Sequence, residues 1–215
     1  MAASTEVVSP RRVVVATHSA HKLRELRELL AVPDLELVSL DDLGIAGEPV
    51  EDGATFEANA RIKARFAART SGLPALADDS GIEVEALGGR PGIHTRRFAG
   101  PTATDAENNA KLLAALAGLP PERRGARYVC VLVVAVPDSR VQGGLRLKRR
   151  RGTCDGRIAT RPRGSGGFGY DPIFEPAAEP PGGRTFGQYS AAEKHAISHR
   201  AQAARRMRPV LVGLP

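Results

Sequence analysis

The chain has 215 residues, 42% of them apolar, enough to fill a real hydrophobic core in one folded unit. Its formal net charge of +7 raises nucleic-acid binding, yet the basic residues are scattered apart from Lys148 to Arg151, and aromatics at 4% are too sparse for base-stacking platforms. No run matches a membrane span and the opening MAASTEVVSPRR lacks the apolar core of a secretory signal, so a cytoplasmic protein with no membrane partner and no stable nucleic-acid partner is expected.

Residues 1–12 read as a flexible N-terminus, 13–208 as one domain and 209–215 as a tail. Val13 to Ala16 form an apolar, β-branched run, a buried strand. Ala20 to Leu30 follow with Leu23, Leu26, Leu29 and Leu30 at helical spacing. A second helix is expected from Thr55 to Ser71, where Phe56, Ala60, Ala64 and Ala67 share a face, ended by Gly72-Leu73-Pro74. Ala75 to Ala77 read as a short buried strand leading into Asp78-Asp79-Ser80-Gly81, and Ile82 to Leu87 as another, closed by Gly88-Gly89. A third helix spans Ala103 to Leu116. Ala126 to Val136 is the most β-prone segment and is expected to pair, through a turn at Pro137-Asp138, with a strand at Val141 to Leu147. Glycine and proline crowd Gly152 to Pro172, Pro176 to Gly183 reads as a mobile loop, and one helix is expected from Ser190 to Arg206, with Ser190 and Glu193 as a capping box. Cys130 and Cys154 lack metal spacing and read as packed thiols. Strands alternating with helices indicate an α/β protein with a central mixed sheet.

Four features carry chemistry. Thr17-His18-Ser19-Ala20-His21-Lys22 puts hydroxyls, free N–H groups and a lysine at a helix start, a ready anion site. Asp78 and Asp79 follow a buried strand, and adjacent carboxylates need a cation or donors to neutralise them; Mg2+ suits a few carboxylates completed by phosphate oxygens. Glu51 and Asp52 add carboxylates from a separate loop. Gly166 to Pro172 sets Phe168 and Tyr170 among glycines that permit close backbone approach to a ligand. Lys194, Ser198, His199 and Arg200 cluster hydrogen-bonding groups on a predicted helix, positioned to meet a 6-oxopurine.

In this order the motifs closely resemble the inosine triphosphate pyrophosphatase family, also described as dITP/XTP pyrophosphatases, from about Val13 to Met207. The likeness rests on Ala16-Thr17 with Lys22, Phe56 with Asn59-Ala60 and Lys63-Ala64, and Leu76 to Gly81. It continues through Leu87-Gly-Gly with Pro91-Gly92 and Arg97, Gly167 to Phe174, and Glu193-Lys194 with Ile197 to Arg200. The resemblance implies an elongated α/β fold of two lobes about a cleft, a homodimer, and Mg2+-dependent cleavage between the α- and β-phosphates of ITP, dITP and XTP. It implies that Thr17, His18, Ser19, Ala20, His21 and Lys22, with Lys63, hold the triphosphate. Asp79 would be the catalytic acid/base residue, and Glu51 with Asp79 would hold Mg2+, Asp78 lying close by. Ser80 would touch substrate, Phe168, Gly169, Tyr170 and Asp171 would enclose the base, and Lys194, His199 and Arg200 would complete its pocket.

Ser19 stands where the family generally has Asn, Ala58 where it has Glu, and Gln188 where Glu is common; Arg96 replaces a usually small residue. Two other readings follow from these departures: a pyrophosphatase for other modified or pyrimidine nucleoside triphosphates, and a non-catalytic nucleotide- or RNA-binding protein on the same fold.

Overall fold

The first apolar run forms β1 (Arg11–Val15) and the leucine-spaced segment behind it forms α1 (Ala20–Leu29). The computed structural model describes residues 10–214, so the expected flexible stretch lies outside the described residues as far as Ser9, while Arg11 and Arg12 already belong to β1. Then come β2 (Leu35–Ser39), α2 (Phe56–Ser71), β3 (Ala75–Val84), α3 (Asp105–Ala115), β4 (Gly125–Pro137), β5 (Leu145–Ile158), β6 (Phe174–Pro176), α4 (Ala191–Ile197) and α5 (His199–Val212). The six strands form one mixed sheet in the order β2-β1-β3-β4-β5-β6, with β1 parallel to both its neighbours and the remaining pairs antiparallel.

Strand length makes the shape. β3, β4 and β5 have 10, 13 and 14 residues against 5 in β1. At ~3.3 Å per residue, β4 runs on the order of 40 Å, more than twice the reach of β1. At one end the sheet is covered on both faces. Ala60, Ala64 and Ala67 of α2 pack over Val14, Ala77, Val131 and Val133, while Leu26 of α1 and Ala203, Met207 and Leu211 of α5 pack beneath Val13, Leu76 and Leu132. At the other end Ile82, Val84, Tyr128 and Ile158 join Leu112 and Leu116 of α3 with Phe174 and Phe186 in a third cluster. The three long strands thus pass through two lobes.

β1 pairs with β3 only as far as Val15 beside Leu76, so from Ala77 onward the edge of β3 facing β1 has no strand partner. The chain leaves β1 through α1 to β2 on one side, then crosses through α2 to β3 on the other. That reversal makes the carboxyl ends of β1 and β3 a topological switch point, the place where α/β sheets open a ligand crevice.

Several sequence expectations shift in physical terms. Asp78 to Gly81 do not form a turn, because β3 runs unbroken from Ala75 to Val84 with every residue in register with β4. β5 does not end at Leu147. It continues through glycines that read as loop punctuation, and a Cβ at Gly152 would strike the His199 carbonyl of α5, as one at Gly156 would strike the Glu175 carbonyl of β6. The single terminal helix is two helices, parted at Ser198, whose extended backbone ends α4 while its hydroxyl accepts from the N–H of Ala201 to start α5. α5 runs past Arg206 to Val212, since Leu211 is buried and Arg11 donates to the carbonyls of Val212 and Leu214. The Pro176 to Gly183 stretch is tied down: Gly182 N–H donates to Glu175, and Glu179 accepts from the Tyr189 hydroxyl and Arg184.

Candidate active site

The site lies at the switch point. Ser19 is the N-cap of α1 and its hydroxyl accepts from Lys22 N–H at 3.4 Å, while Thr17 Oγ1 accepts from Ser19 N–H at 3.1 Å. These two turns bend the chain out of β1 and leave Ala20 and His21 in the exposed first turn of α1, with Lys22 one turn in. His18 turns away, between the carboxylates of Asp41 at 3.3 Å and Glu48 at 3.9 Å.

Because side chains alternate along a strand, Asp78 and Asp79 project to opposite faces of β3. Asp78 is buried on the α1/α5 face, where it meets Lys22 Nζ at 2.6 Å, accepts from Arg200 Nε at 3.2 Å and from the Cys130 thiol at 3.1 Å. Burial alone would raise its pKa, but the Arg200 and Lys22 charges beside it hold the carboxyl well below the usual range. The adjacent carboxylates are therefore neutralised by separate partners. Asp79 lies on the α2 face, 9% exposed at the crevice, and accepts from Lys63 Nζ at 2.8 Å. Its pKa is raised, burial outweighing the Lys63 charge. Lys63 also meets Glu51 Oε2 at 3.2 Å, so Glu51 and Asp79 converge on one cationic position. The Glu51 loop is anchored through Asn59, whose Oδ1 accepts from Gly53 N–H at 2.9 Å.

The break at Ser198 swings α4 and α5 so that Lys194 and Arg200 both reach Glu25 of α1. Lys194 Nζ donates to Glu25 at 2.9 Å and to Asp171 at 2.8 Å; Arg200 donates to Glu25 at 2.6 Å and to Ser80 Oγ at 2.9 Å as well as to Asp78. Two of the three ammonium protons of Lys194 and three of the five guanidinium protons of Arg200 are thus engaged, and the rest are free for a ligand. His199 is buried and stacked on Tyr128 with ring centroids 4.5 Å apart; burial first, then the Arg200 charge, hold its pKa far below the ordinary value, so the ring is neutral.

Phe168 lies over this cation layer, its ring stacked on His21 at 5.4 Å and facing Lys194 Nζ at 4.8 Å and Arg200 at 5.5 Å. Asp171 is buried behind it, accepting from Phe168 N–H at 2.9 Å and from Tyr128 Oη at 3.3 Å, with its pKa raised by burial against the pull of Lys194. Tyr170 packs into the third cluster and its hydroxyl donates to the Thr95 carbonyl at 2.8 Å.

Glu25 is the residue that sequence reasoning missed. It lies three positions after Lys22 and so on the same helical face, a spacing that would have flagged it. Cys130 was read as packing alone and also donates to Asp78. The departures from the family pattern find local uses: Ser19 caps α1, and Gln188 accepts from Thr185 N–H in a capping box. Ala58 sits at the third position of α2, beside the Glu51 loop, with no carboxylate of its own.

A sequence profile described as the Ham1 family matches residues 13–210. A protein of Syntrophobacter fumaroxidans named dITP/XTP pyrophosphatase is 52% identical over 89% of this chain and 78% of its own length. One of Anaeromyxobacter dehalogenans with the same name is 48% identical over 90% of this chain and 94% of its own. Among solved structures, a HAM1 protein from Coxiella burnetii superposes with TM-score 0.82 at 38% identity, covering 95% of this chain and 100% of that one. The Staphylococcus aureus Ham1 protein gives 0.81 at 35% identity, covering 94% and 99%.

Proposed function

The chain belongs to the Ham1 family, and from that premise we propose that it is a nucleoside triphosphate pyrophosphatase that removes ITP, dITP and XTP as monophosphate and pyrophosphate. The observation that carries this is the pairing of Asp79, a carboxylate of raised pKa at the crevice, with the α1 N-terminus, Lys22 and Lys63 around it.

In this reading the free N–H groups of Ala20 and His21 and the ammonium of Lys22 bind the β- and γ-phosphates, and Lys63 draws charge from the leaving pyrophosphate. Asp79 accepts a proton from the water that attacks the α-phosphorus, a role served by a basicity above that of an ordinary carboxylate. No covalent intermediate is needed. Ser80, held by Arg200, faces the same crevice.

The donor set fits a divalent cation. Glu51 and Asp79 present hard oxygen ligands at the position where Lys63 now meets both. Among the described residues no group of three or more His, Cys, Asp or Glu forms a cage, and Mg2+ held by one or two carboxylates and completed by substrate oxygens and water requires none. When bound, such an ion would neutralise phosphate charge. Asp78, engaged on the other face, is left to orient Lys22 and Arg200.

The spare donors of Lys194 and Arg200 would meet the 6-oxo group of hypoxanthine or xanthine, and the 6-amino group of adenine would find no acceptor there, a mismatch that a buried polar site penalises strongly. The reading extends to a cytoplasmic homodimer, supported by the family resemblance. No helix among the described residues is long and apolar enough to cross a membrane.

The test is pyrophosphate release from ITP, XTP, GTP, ATP, dUTP and CTP, with Mg2+ and with EDTA. Fast Mg2+-dependent release confined to ITP and XTP is expected. Release from pyrimidine nucleotides instead, or tight ITP binding without turnover, would replace this reading with one of its rivals.

A further inference from the structure

The base-facing loop is held from outside the pocket. Gly169 has its N–H donated to Asp105 Oδ2 at 2.6 Å, and its carbonyl accepts from Asn109 Nδ2 at 3.1 Å. Both groups of one residue are therefore clamped by α3, whose Asp105 and Asn109 stand four positions apart on one face. Gly169 itself has φ +63°, the left-handed region in which a glycine has most freedom to lose, so an unclamped Gly169 would let the neighbouring Phe168 ring wander. The adjacent Asn108 makes a second link from the same helix, donating to the Arg96 carbonyl at 3.0 Å and accepting from Ala99 N–H at 2.8 Å. Thr95, in that same segment, accepts the Tyr170 hydroxyl. α3 thus joins the base loop to the segment that packs against Gly81 of β3.

Asn109 bears a cost that packing does not explain. It is 7% exposed, and its Oδ1 is buried with no hydrogen-bond donor. A leucine of similar shape would bury no unpaired oxygen there. What only the asparagine supplies is the donation to Gly169.

We propose that Asp105 and Asn109 are positioning residues for base selection: by clamping the two sides of Gly169 they set the depth of the pocket beneath Phe168 and hence the discrimination between 6-oxo and 6-amino purines. This rests on reading Phe168 to Asp171 as the loop that encloses the base. Neither residue touches the phosphates, so their removal alters base preference and leaves the triphosphate end intact.

The experiment compares Asn109→Leu, Asp105→Ala and Asp105→Asn with the parent in the full-length protein. It reads the ratio of kcat/KM for ITP over ATP, competitive inhibition by inorganic triphosphate, and Tm. For Asn109→Leu and Asp105→Ala the ratio falls about tenfold, equivalent to about 1.4 kcal/mol, while inhibition by inorganic triphosphate stays within about twofold. Asn109→Leu keeps or raises Tm. Asp105→Asn, whose carboxamide oxygen still accepts, restores the ratio. Loss of stability alone would lower both substrates together and leave the ratio untouched. A selective parent whose Asn109→Leu and Asp105→Ala variants remain equally selective overturns the proposal; should Asn109→Leu not fold, the exposed Asp105 pair decides. A parent with no preference for ITP removes the base-loop reading itself and the proposal with it.

Discussion

Asp78 and Asp79 are consecutive on β3 and answer to different helices: the first to Arg200 of α5 and Lys22 of α1, the second to Lys63 of α2. Two substitutions of the same size should part accordingly. Asp79→Asn lowers turnover by roughly 10²- to 10⁴-fold and leaves nucleotide binding largely intact. Asp78→Asn leaves Arg200 buried without its full anionic complement and costs about 3–5 kcal/mol. Calorimetry beside steady-state kinetics separates them, and a stable, active Asp78→Asn protein would contradict the division.

The depressed pKa of Asp78 fixes a direction for acid stability. Its folded-state pKa lies below the unfolded value of about 3.9, so the stabilisation is complete above that value and is lost as pH falls through the folded pKa. Thermal unfolding of the parent should steepen its decline below about pH 4. Asp78→Asn should start lower and decline less over the same range. Equal slopes would remove Asp78 from the account.

Asp79 has the opposite sign. Burial raises its pKa and Lys63 pulls it back. Lys63→Met removes that pull, so the acid limb of kcat/KM should move to higher pH, in addition to a loss of rate at the plateau. A pH–rate profile with an unmoved limb would mean that a different group sets it.

Ala58 occupies the third position of α2, and its N–H donates to Thr55 Oγ1 at 3.1 Å. A glutamate there would complete a capping box with Thr55 and favour the helix dipole, adding about 0.3–1.5 kcal/mol. It would also bring a carboxylate beside the Glu51 loop, so Ala58→Glu is expected to raise Tm and to lower the Mg2+ concentration needed for half-maximal rate. An unchanged Mg2+ titration would mean Glu51 and Asp79 already suffice.

What the sequence disclosed and what it hid divide along physical lines. Periodicity located α1, α2 and α3, and motif order brought together Lys22, Asp79, Lys63, Phe168 and Arg200 before any geometry was known. β2 went unassigned because its five residues carry neither long alternation nor turn punctuation. Gly152 and Gly156 misled for a different reason: a glycine that yields room to a neighbouring backbone looks, in one dimension, like a glycine that turns the chain. Ser198 sat inside a convincing helical pattern, and only the demand that both Lys194 and Arg200 reach Glu25 explains the break there. The opposite facing of Asp78 and Asp79 was implied by strand alternation, but only once the segment is known to be strand throughout.

β4 keeps unbroken pairing with β5 from Gly125 to Pro137 and with β3 across all ten residues of that strand. The crevice therefore has no hinge peptide behind it. Two bodies joined by a flexible tether could open and shut like a jaw, but here the same backbone ladder is the spine of both. Any tightening around a nucleotide must come from added twist in those strands or from the loops along the rim. Lysines, carboxylates and helix start consequently keep their spacing whether or not substrate is present, and the work of reorganisation that a floppy cleft would repeat at every turnover is done once, when the chain folds.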